Sequence, residues 1–157
     1  MEGLDIVEIK LSVVKQENII FRIDNEFFSK KYINALNLVT QSSYNLIGSF
    51  VYVTDGEHGT VQTYSNGHAK YYGARNVLRG FLDNTNVEYI DKKTHFKNSR
   101  SILYPHDVLI SCVGANIGCT SIVPKNIGTA NIVRNVALIR SQKEEFNNYY
   151  ILSYFLS

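Results

Sequence analysis

The side chains best suited to catalysis in this chain of 157 residues are its histidines and a short acidic–basic pattern near its start. Glu8-Ile9-Lys10 fits the E-x-K pattern of metal-dependent nucleases, which also need a second carboxylate held near the metal. Asp5 lies too close along the chain to supply it. No two histidines have the H-x-x-x-H spacing that binds zinc from one helix face; they are His58, His68, His95 and His106. We therefore expect no metal site.

A second candidate for chemistry is a segment placed like a phosphate-binding loop. Gly114–Gly118 (GANIG) follows an apolar run, but Cys119 and Thr120 stand where such a loop ends in Gly-Lys-Ser/Thr. The chain also has no Gly-x-Ser-x-Gly nucleophile elbow. It shows no glycine loop for adenosylmethionine. These patterns predict a structural turn at 114–118, no cofactor, and a protein that is not itself an enzyme.

Cysteine usage and the start of the chain indicate the compartment. Cys112 and Cys119 lie among apolar residues with no nearby histidine, so we expect small buried core residues in a reducing compartment. Met1–Lys10 lacks the basic start and apolar run of a secretory signal. No apolar run reaches the roughly 18 residues of a membrane span. The sequence therefore predicts a cytoplasmic protein without a membrane partner.

Charge is distributed unevenly, although the net charge is only +2. Residues 1–69 carry five basic and eight acidic side chains, whereas residues 70–100 carry seven basic and three acidic ones. Residues 101–157 carry four basic and three acidic side chains. A basic excess in the middle third is what a phosphate-contacting surface needs, but a solvated lysine-rich face has the same composition.

The sequence predicts a mixture of helices, strands and loops to position these charged and polar residues. In the first half, apolar spacing predicts a helix over 29–40 with Ser29 as its N-cap, and a strand over 46–53 that closes on a turn. Residues 55–73, rich in glycine, histidine and tyrosine, are typical of an ordered loop. Short strands are expected within 76–82 and 87–90, and a polar helical turn over 91–99.

The second half is richer in strands. β-branched runs predict strands over 108–113, 120–123 and 133–139, followed by an amphipathic helix over 144–155 with an acidic first turn. The order favours an α+β fold with a mixed or antiparallel β-sheet and long loops, flanked by an N-terminal and a C-terminal helix. Long loops in a compact domain favour a binding function.

Five stretches follow one another along the chain as a set of motifs: Phe21–Phe28, Val53–Thr60 (VTDGEHGT), Gly73–Gly80, Leu103–Gly118 and Asn131–Arg140. In this order they resemble one family, the target recognition domains of type I restriction-modification specificity subunits. The first is similar to the family's lead-in, the second to a strand and loop near the start of the domain, the third to a second family segment, and the last two to its core. The same domain type ends some adenine methyltransferases.

One residue departs from the family pattern within the core segment. His106 stands where the family usually has glycine. If that glycine has a positive φ, His106 must bear some strain or the turn must differ.

The resemblance implies the target recognition domain fold and sequence-specific binding of double-stranded DNA without catalysis. Its implied partners are a DNA methyltransferase (modification) subunit, an ATP-dependent restriction subunit and a second copy of the chain. We expect one recognition domain over 1–157, with a lead-in arm and helix (1–42), a sheet-and-loop core (46–141) and a last helix (144–156) that ends short of the family's spacer helices. Two alternatives stay open: the detached recognition domain of a fused adenine methyltransferase, and a small metal-dependent nuclease.

The loop-rich basic stretch supplies the expected DNA contacts, because arginine suits guanine and asparagine suits adenine in the major groove. The base-reading candidates are Lys70, Tyr71, Tyr72, Arg75, Asn76 and Arg79, with His58 and Gln62 as weaker ones. The phosphate-contacting candidates are Lys97, Arg100 and Lys125. Each could instead be an ordinary surface side chain. For Asn131 and Asn135 we expect turn hydrogen bonds.

Overall fold

The computed structural model describes residues 8–12, 14, 28–143 and 147–157. Most of the predicted lead-in and the acidic start of the predicted last helix, residues 144–146, therefore lie outside the described residues. The chain divides into two compact units, Met1–Asn45 and Leu46–Ser157. The candidate DNA contacts all belong to the second unit.

The first unit contains helix α1 (Lys30–Thr40). Ser29 has an extended backbone, with φ −63° and ψ 147°, and so stands at the N-cap position, but its side chain makes no capping hydrogen bond. None of the residues of α1 is buried. The helix predicted over 29–40 is confirmed.

The second unit contains nine strands among its described residues, and they form three sheets. The sheets have the orders β1-β9-β6-β7, β5-β2-β8 and β3-β4, and every pairing is antiparallel except β2 with β8. The strands are β1 (Val51–Asp55), β2 (Ala69–Tyr72), β3 (Val77–Leu78), β4 (Phe81–Leu82), β5 (Glu88–Ile90), β6 (Val108–Ser111), β7 (Thr120–Ile122), β8 (Ala130–Ile132) and β9 (Val136–Ser141). Helices α2 (Lys92–Lys97) and α3 (Asn148–Leu156) complete the unit, so the α+β prediction is confirmed.

The main core of this unit lies between the two larger sheets. Tyr72 and Ile132 contribute to it from the three-stranded sheet, and Leu109 and Leu138 from the four-stranded sheet. The other face of the four-stranded sheet packs against Ile151 of α3. Burial of these side chains supplies most of the stabilisation, at roughly 25 cal/mol per Å² of apolar surface.

Tertiary packing changes three predicted elements. The strand predicted over 46–53 begins only at Val51, after a 3₁₀ turn at Ile47–Ser49. The loop predicted over 55–73 contains β2, because its residues pair with β5 and β8. The strand predicted over 133–139 is wrong at its start, where residues 133–135 turn the chain between β8 and β9.

The cysteine prediction is also wrong. Cys112 is exposed and Cys119 is half-buried. Both lie in the hairpin between β6 and β7, just outside the two strands. Apolar sequence neighbours therefore do not imply burial here, since the exposed Val113 and Ile117 lie in the same hairpin.

The core segment of the family resemblance builds a buried ion pair. Asp107 accepts from Arg140 Nε at 2.7 Å and from Nη2 at 2.6 Å, and its Oδ2 also accepts from the Tyr104 backbone N–H at 2.7 Å. The guanidinium lies 4.3 Å from the Tyr104 ring centroid and donates to the carbonyl of Ile102. These residues therefore fasten the start of β6 to β9.

His106 occupies the left-handed region, with φ 70°. The strain anticipated from its glycine-like position is confirmed. Its backbone N–H donates to Val123, its carbonyl accepts from Asn148 Nδ2 at 2.8 Å, and its ring lies 3.0 Å from the Tyr149 hydroxyl. These contacts hold the turn in a conformation that glycine would adopt without strain.

Candidate functional site

The parallel pairing of β2 with β8 places two chain segments at one edge of the three-stranded sheet. Arg75 follows the end of β2, and Arg134 follows the end of β8. The carboxyl ends of parallel strands meet at the same edge, so both arginines are positioned there. The Asn135 side-chain carbonyl accepts from the Ala74 N–H at 3.3 Å and links the two segments.

Two further loops join this edge. The Asn116 amide donates to the carbonyl of Ala74 at 3.3 Å, which ties the β6–β7 hairpin to the segment after β2. Glu57 forms a parallel bridge with Val133. We call residues 56–59, 73–76, 112–118 and 133–135 together the rim.

One close backbone approach fixes the loop after β1 to the rim. Gly56 packs so tightly on β8 that an added Cβ would lie 2.0 Å from the carbonyl oxygen of Ile132. The backbone of β8 therefore leaves no room for a side chain at position 56. The glycine of the Val53–Thr60 segment consequently has a structural role, since it lets β1 end against β8.

The rim exposes two arginines in different electrostatic settings. Arg75 pairs with Glu88 at 3.3 Å, and its side chain is half exposed. Arg134 is exposed and makes no hydrogen bond or ion pair with any residue that the structure describes. His58, also exposed, lies 2.6 Å from the Asp55 carboxylate. Arg134 is thus the cation of the rim that is most available to a ligand.

Sequence reasoning missed Arg134 because a continuous strand was predicted over 133–139. In such a strand, Arg134 would alternate with core residues. The flanking asparagines, Asn131 and Asn135, are the signal that could have marked a turn there. Asn135 does bridge two segments, whereas Asn131 is fully buried within β8.

Three of the predicted base-reading residues are buried, which corrects their placement on a DNA-contacting surface. Tyr71 and Tyr72 lie on opposite faces of β2, and each belongs to a hydrophobic cluster. Burial raises the pKa of Tyr72 to about 12, with Tyr89 and Asp83 adding to the effect. Burial likewise raises the pKa of Tyr71.

Asn76, the third of these, uses its side chain inside the fold. Its carbonyl accepts from the Gly73 N–H at 3.0 Å, and its amide donates to the carbonyls of Asp83 and Asn86 at 3.4 Å. The residue therefore closes the turn after β2. Its side chain has no atom free for a base edge.

Three other predicted contacts are engaged with neighbouring residues. Lys70 Nζ lies 3.4 Å from Asn84 Oδ1, and Arg79 donates to the carbonyl of Leu156. Arg100 pairs with Asp55 at 3.1 Å and donates to the carbonyl of Gly56 at 2.8 Å. Exposed side chains remain at three positions away from the rim: Gln62, Lys97 and Lys125. Of the predicted residues with exposed side chains, the structure brings His58 and Arg75 together on the rim.

The described residues form neither a metal-binding cluster nor a helix that could span a membrane. Among them, no three His, Cys, Asp or Glu side chains lie close enough to hold a metal ion. None of their helices is both long and apolar enough to cross a bilayer.

Similarity to known proteins is found in the fold and not in the sequence. The sequence matches no protein family model and no curated protein. A solved structure from work on complex assembly and conformational transition of the type I R-M system overlaps with a TM-score of 0.50 at 18% identity, over 78% of this chain and 31% of that chain. The chain has the fold of the matched part of that structure. The fold resemblance indicated by the sequence motifs is therefore confirmed.

Two further solved structures match over most of the chain. One is the type I restriction-modification S subunit from M. genitalium, with 14% identity, 82% of this chain and 30% of that chain covered, and a TM-score of 0.46. The other is the HsdS subunit from Thermoanaerobacter tengcongensis, with 15% identity, coverages of 92% and 38%, and a TM-score of 0.49. The chain spans about a third of the length of the solved chains that it matches.

Proposed function

We propose that this chain recognises double-stranded DNA through the rim and performs no bond chemistry itself. The observation that carries the proposal is the placement of exposed Arg75 and Arg134 at one edge of a sheet, in a fold that matches part of a solved type I restriction-modification structure. An arginine fork matches the O6 and N7 acceptors of guanine in the major groove, and it also binds phosphate.

Rigidity of the rim supports recognition. Ala74 is held from both sides, through its N–H by Asn135 and through its carbonyl by Asn116. Gly56 leaves no gap between the loop after β1 and β8. Because these cross-links exist before DNA binds, little conformational entropy is lost on binding, and the arginine positions are set by the scaffold.

In the complete system, we propose that residues 1–157 form one recognition domain that directs its partners to the target site. Those partners are a DNA methyltransferase (modification) subunit and an ATP-dependent restriction subunit in the cytoplasm. The methylated base must leave the stack to reach the methyltransferase pocket, so the reader only has to hold the duplex in register. A second copy of the chain would supply the reader for another half-site.

The test compares Arg134→Ala and Arg75→Ala with Lys125→Ala. Lys125 precedes β8, at the end of that strand opposite to Arg134, and is an exposed cation outside the rim. Duplexes selected from a randomised pool by the full chain serve as targets, and fluorescence anisotropy measures affinity for target and scrambled duplex. Each rim variant should weaken target binding by about 5- to 150-fold, equal to about 1–3 kcal/mol, and relax the preference.

The control outcome separates recognition from general attraction. Lys125→Ala should leave the preference for target over scrambled duplex unchanged, because a remote cation carries no base contact. If the wild type and both rim variants bind the target duplex with equal affinity, the rim is not the DNA-binding surface. Cleavage of duplex DNA by the pure chain with Mg²⁺ would overturn the claim that it performs no bond chemistry.

A further inference from the structure

Helix α2 exposes a phenylalanine among lysines. At 100° per residue, Phe96 falls between Lys92 and Lys93 on the helical wheel, and Lys97 lies just beyond Lys93. All four are exposed, and 58% of Phe96 is accessible. His95 lies about 100° from Phe96 on the wheel and is buried. We call Lys92, Lys93, Phe96 and Lys97 the α2 arc.

The α2 arc is held firmly by the residues beneath it. The Asp91 carboxylate caps the helix by accepting from the Thr94 N–H at 2.7 Å. His95 Nδ1 is hydrogen-bonded to the side-chain carbonyl of Asn131 in β8. Asn131 in turn donates to the Asn98 carbonyl at 3.1 Å, just after α2. The position of α2 on β8 is therefore fixed on both sides of Phe96.

The Phe96 ring is supported by two imidazoles. Its centroid lies 4.8 Å from that of His95, edge to face, and 6.2 Å from that of His68, at an interplanar angle of 38°. These contacts restrict the ring while more than half of the residue stays exposed. Binding to this ring would therefore cost little side-chain entropy.

Charge and shape together identify the ligand class. Three lysines share this side of α2 with Phe96, and Asp91, the acid nearest to Phe96 in the sequence, caps the helix with its carboxylate. Aromatic rings beside lysines bind unstacked bases, at about 1–3 kcal/mol per base, while the ammonium groups neutralise phosphates. An anionic lipid surface also attracts lysines, but a six-residue helix with one exposed apolar ring offers little area for insertion.

The segment that follows α2 contacts the rim. Arg100 follows α2 by three residues and donates to the carbonyl of Gly56 at 2.8 Å. We propose that the α2 arc binds an unpaired nucleotide next to the recognised duplex, with the base stacked on Phe96 and its phosphates near the lysines. This inference rests on the proposed DNA recognition.

The absence of tryptophan from the chain makes a direct test available. Phe96→Trp introduces a lone tryptophan at the proposed stacking position, and Phe81→Trp introduces one at a matched control. Phe81, in β4, is 57% exposed, close to the 58% of Phe96, but it lies outside the α2 arc. Each full-length variant is titrated with the selected duplex carrying a single-stranded extension, and with the blunt duplex.

The expected result is quenching of the tryptophan at 96 by the extended duplex only, with little change at 81. Phe96→Ala should weaken binding of the extended duplex by about 5- to 150-fold and leave blunt-duplex affinity unchanged. Changing Lys92, Lys93 and Lys97 to Gln should lower the salt slope for the extension by up to about 2, at about 0.7 per phosphate.

Three outcomes would overturn the inference. Equal quenching at positions 96 and 81, with Phe96→Ala neutral, would show that no base stacks there while the proposed duplex recognition stands. Loss of binding to vesicles of phosphatidylserine in Phe96→Ala, without any change in DNA binding, would identify a membrane contact instead. Failure of the wild-type chain to bind any duplex would remove the proposed function and this inference together.

Discussion

Replacement of Arg140 by methionine should destabilise the protein strongly, because it leaves a buried carboxylate without its cation. The Asp107 side chain is only 2% exposed, and that of Arg140 is 26% exposed. Arg140 supplies two of the three hydrogen bonds that reach the Asp107 oxygens, and the third comes from the Tyr104 N–H. In Arg140→Met, Asp107 Oδ1 loses the hydrogen bond from Arg140 Nε, and the negative charge of the carboxylate stays buried.

The expected magnitude follows from this geometry. Breaking a buried ion pair by removing one partner costs about 3–5 kcal/mol. Water can reach the partly exposed space left by Arg140, so we expect the lower end, about 3 kcal/mol. For a chain of this length, each kcal/mol shifts the melting temperature by about 2–4 °C, which gives a decrease of about 6–12 °C.

Urea unfolding followed by circular dichroism measures the free energy of unfolding. The double variant Asp107→Asn with Arg140→Met should be less destabilised than the sum of the single variants by more than about 1 kcal/mol, because it contains no unpaired charge. A loss below about 1 kcal/mol for Arg140→Met, or strict additivity in the double variant, would refute the assignment of Asp107–Arg140 as a buried pair that holds β6 to β9.

Three further predictions concern the rim and α2. Glu88→Gln frees Arg75 and removes a negative charge, so affinity for non-target duplex should rise while target preference falls in selection experiments. Hydrogen bonds from the backbone and side chain of Thr94 lower the pKa of Asp91 below its usual 3.8, so the cap stabilises α2 above that pH and is lost as the pH falls through the lowered pKa. Asp91→Asn keeps the cap and should flatten this dependence in amide exchange. Gly56→Ala should cost about 1–3 kcal/mol in urea unfolding, because its Cβ would collide with the backbone of β8.

The controls for these variants come from the same chain. Gly48→Ala faces open space and should leave the unfolding free energy nearly unchanged, so an equal loss at positions 48 and 56 would contradict the steric argument. An unchanged target preference in Glu88→Gln would mean that the ion pair does not orient Arg75 for readout. An acid dependence of α2 that persists in Asp91→Asn would assign it to another group.

The sequence by itself determined the features that depend on near neighbours. Helix α1 follows from apolar spacing, and α2 from the polar segment after Asp91, whose carboxylate reaches only three residues ahead. The strained turn at His106 was indicated by its glycine-like position. The ordered motifs also indicated the fold through their family resemblance, and two of them, Leu103–Gly118 and Asn131–Arg140, contain the partners of the Asp107–Arg140 pair.

Only the tertiary structure decided which side chains the rim exposes. The parallel pairing of β2 with β8 joins segments about sixty residues apart, and no local pattern encodes that distance. This pairing turned a predicted loop into a strand and buried Tyr71 and Tyr72. The start of the strand predicted over 133–139 is a turn after β8, and this turn exposes Arg134. Hydrophobic burial across the sheets, rather than the polarity of each residue, selected the candidate DNA contacts, because a side chain buried in the core cannot also reach a base.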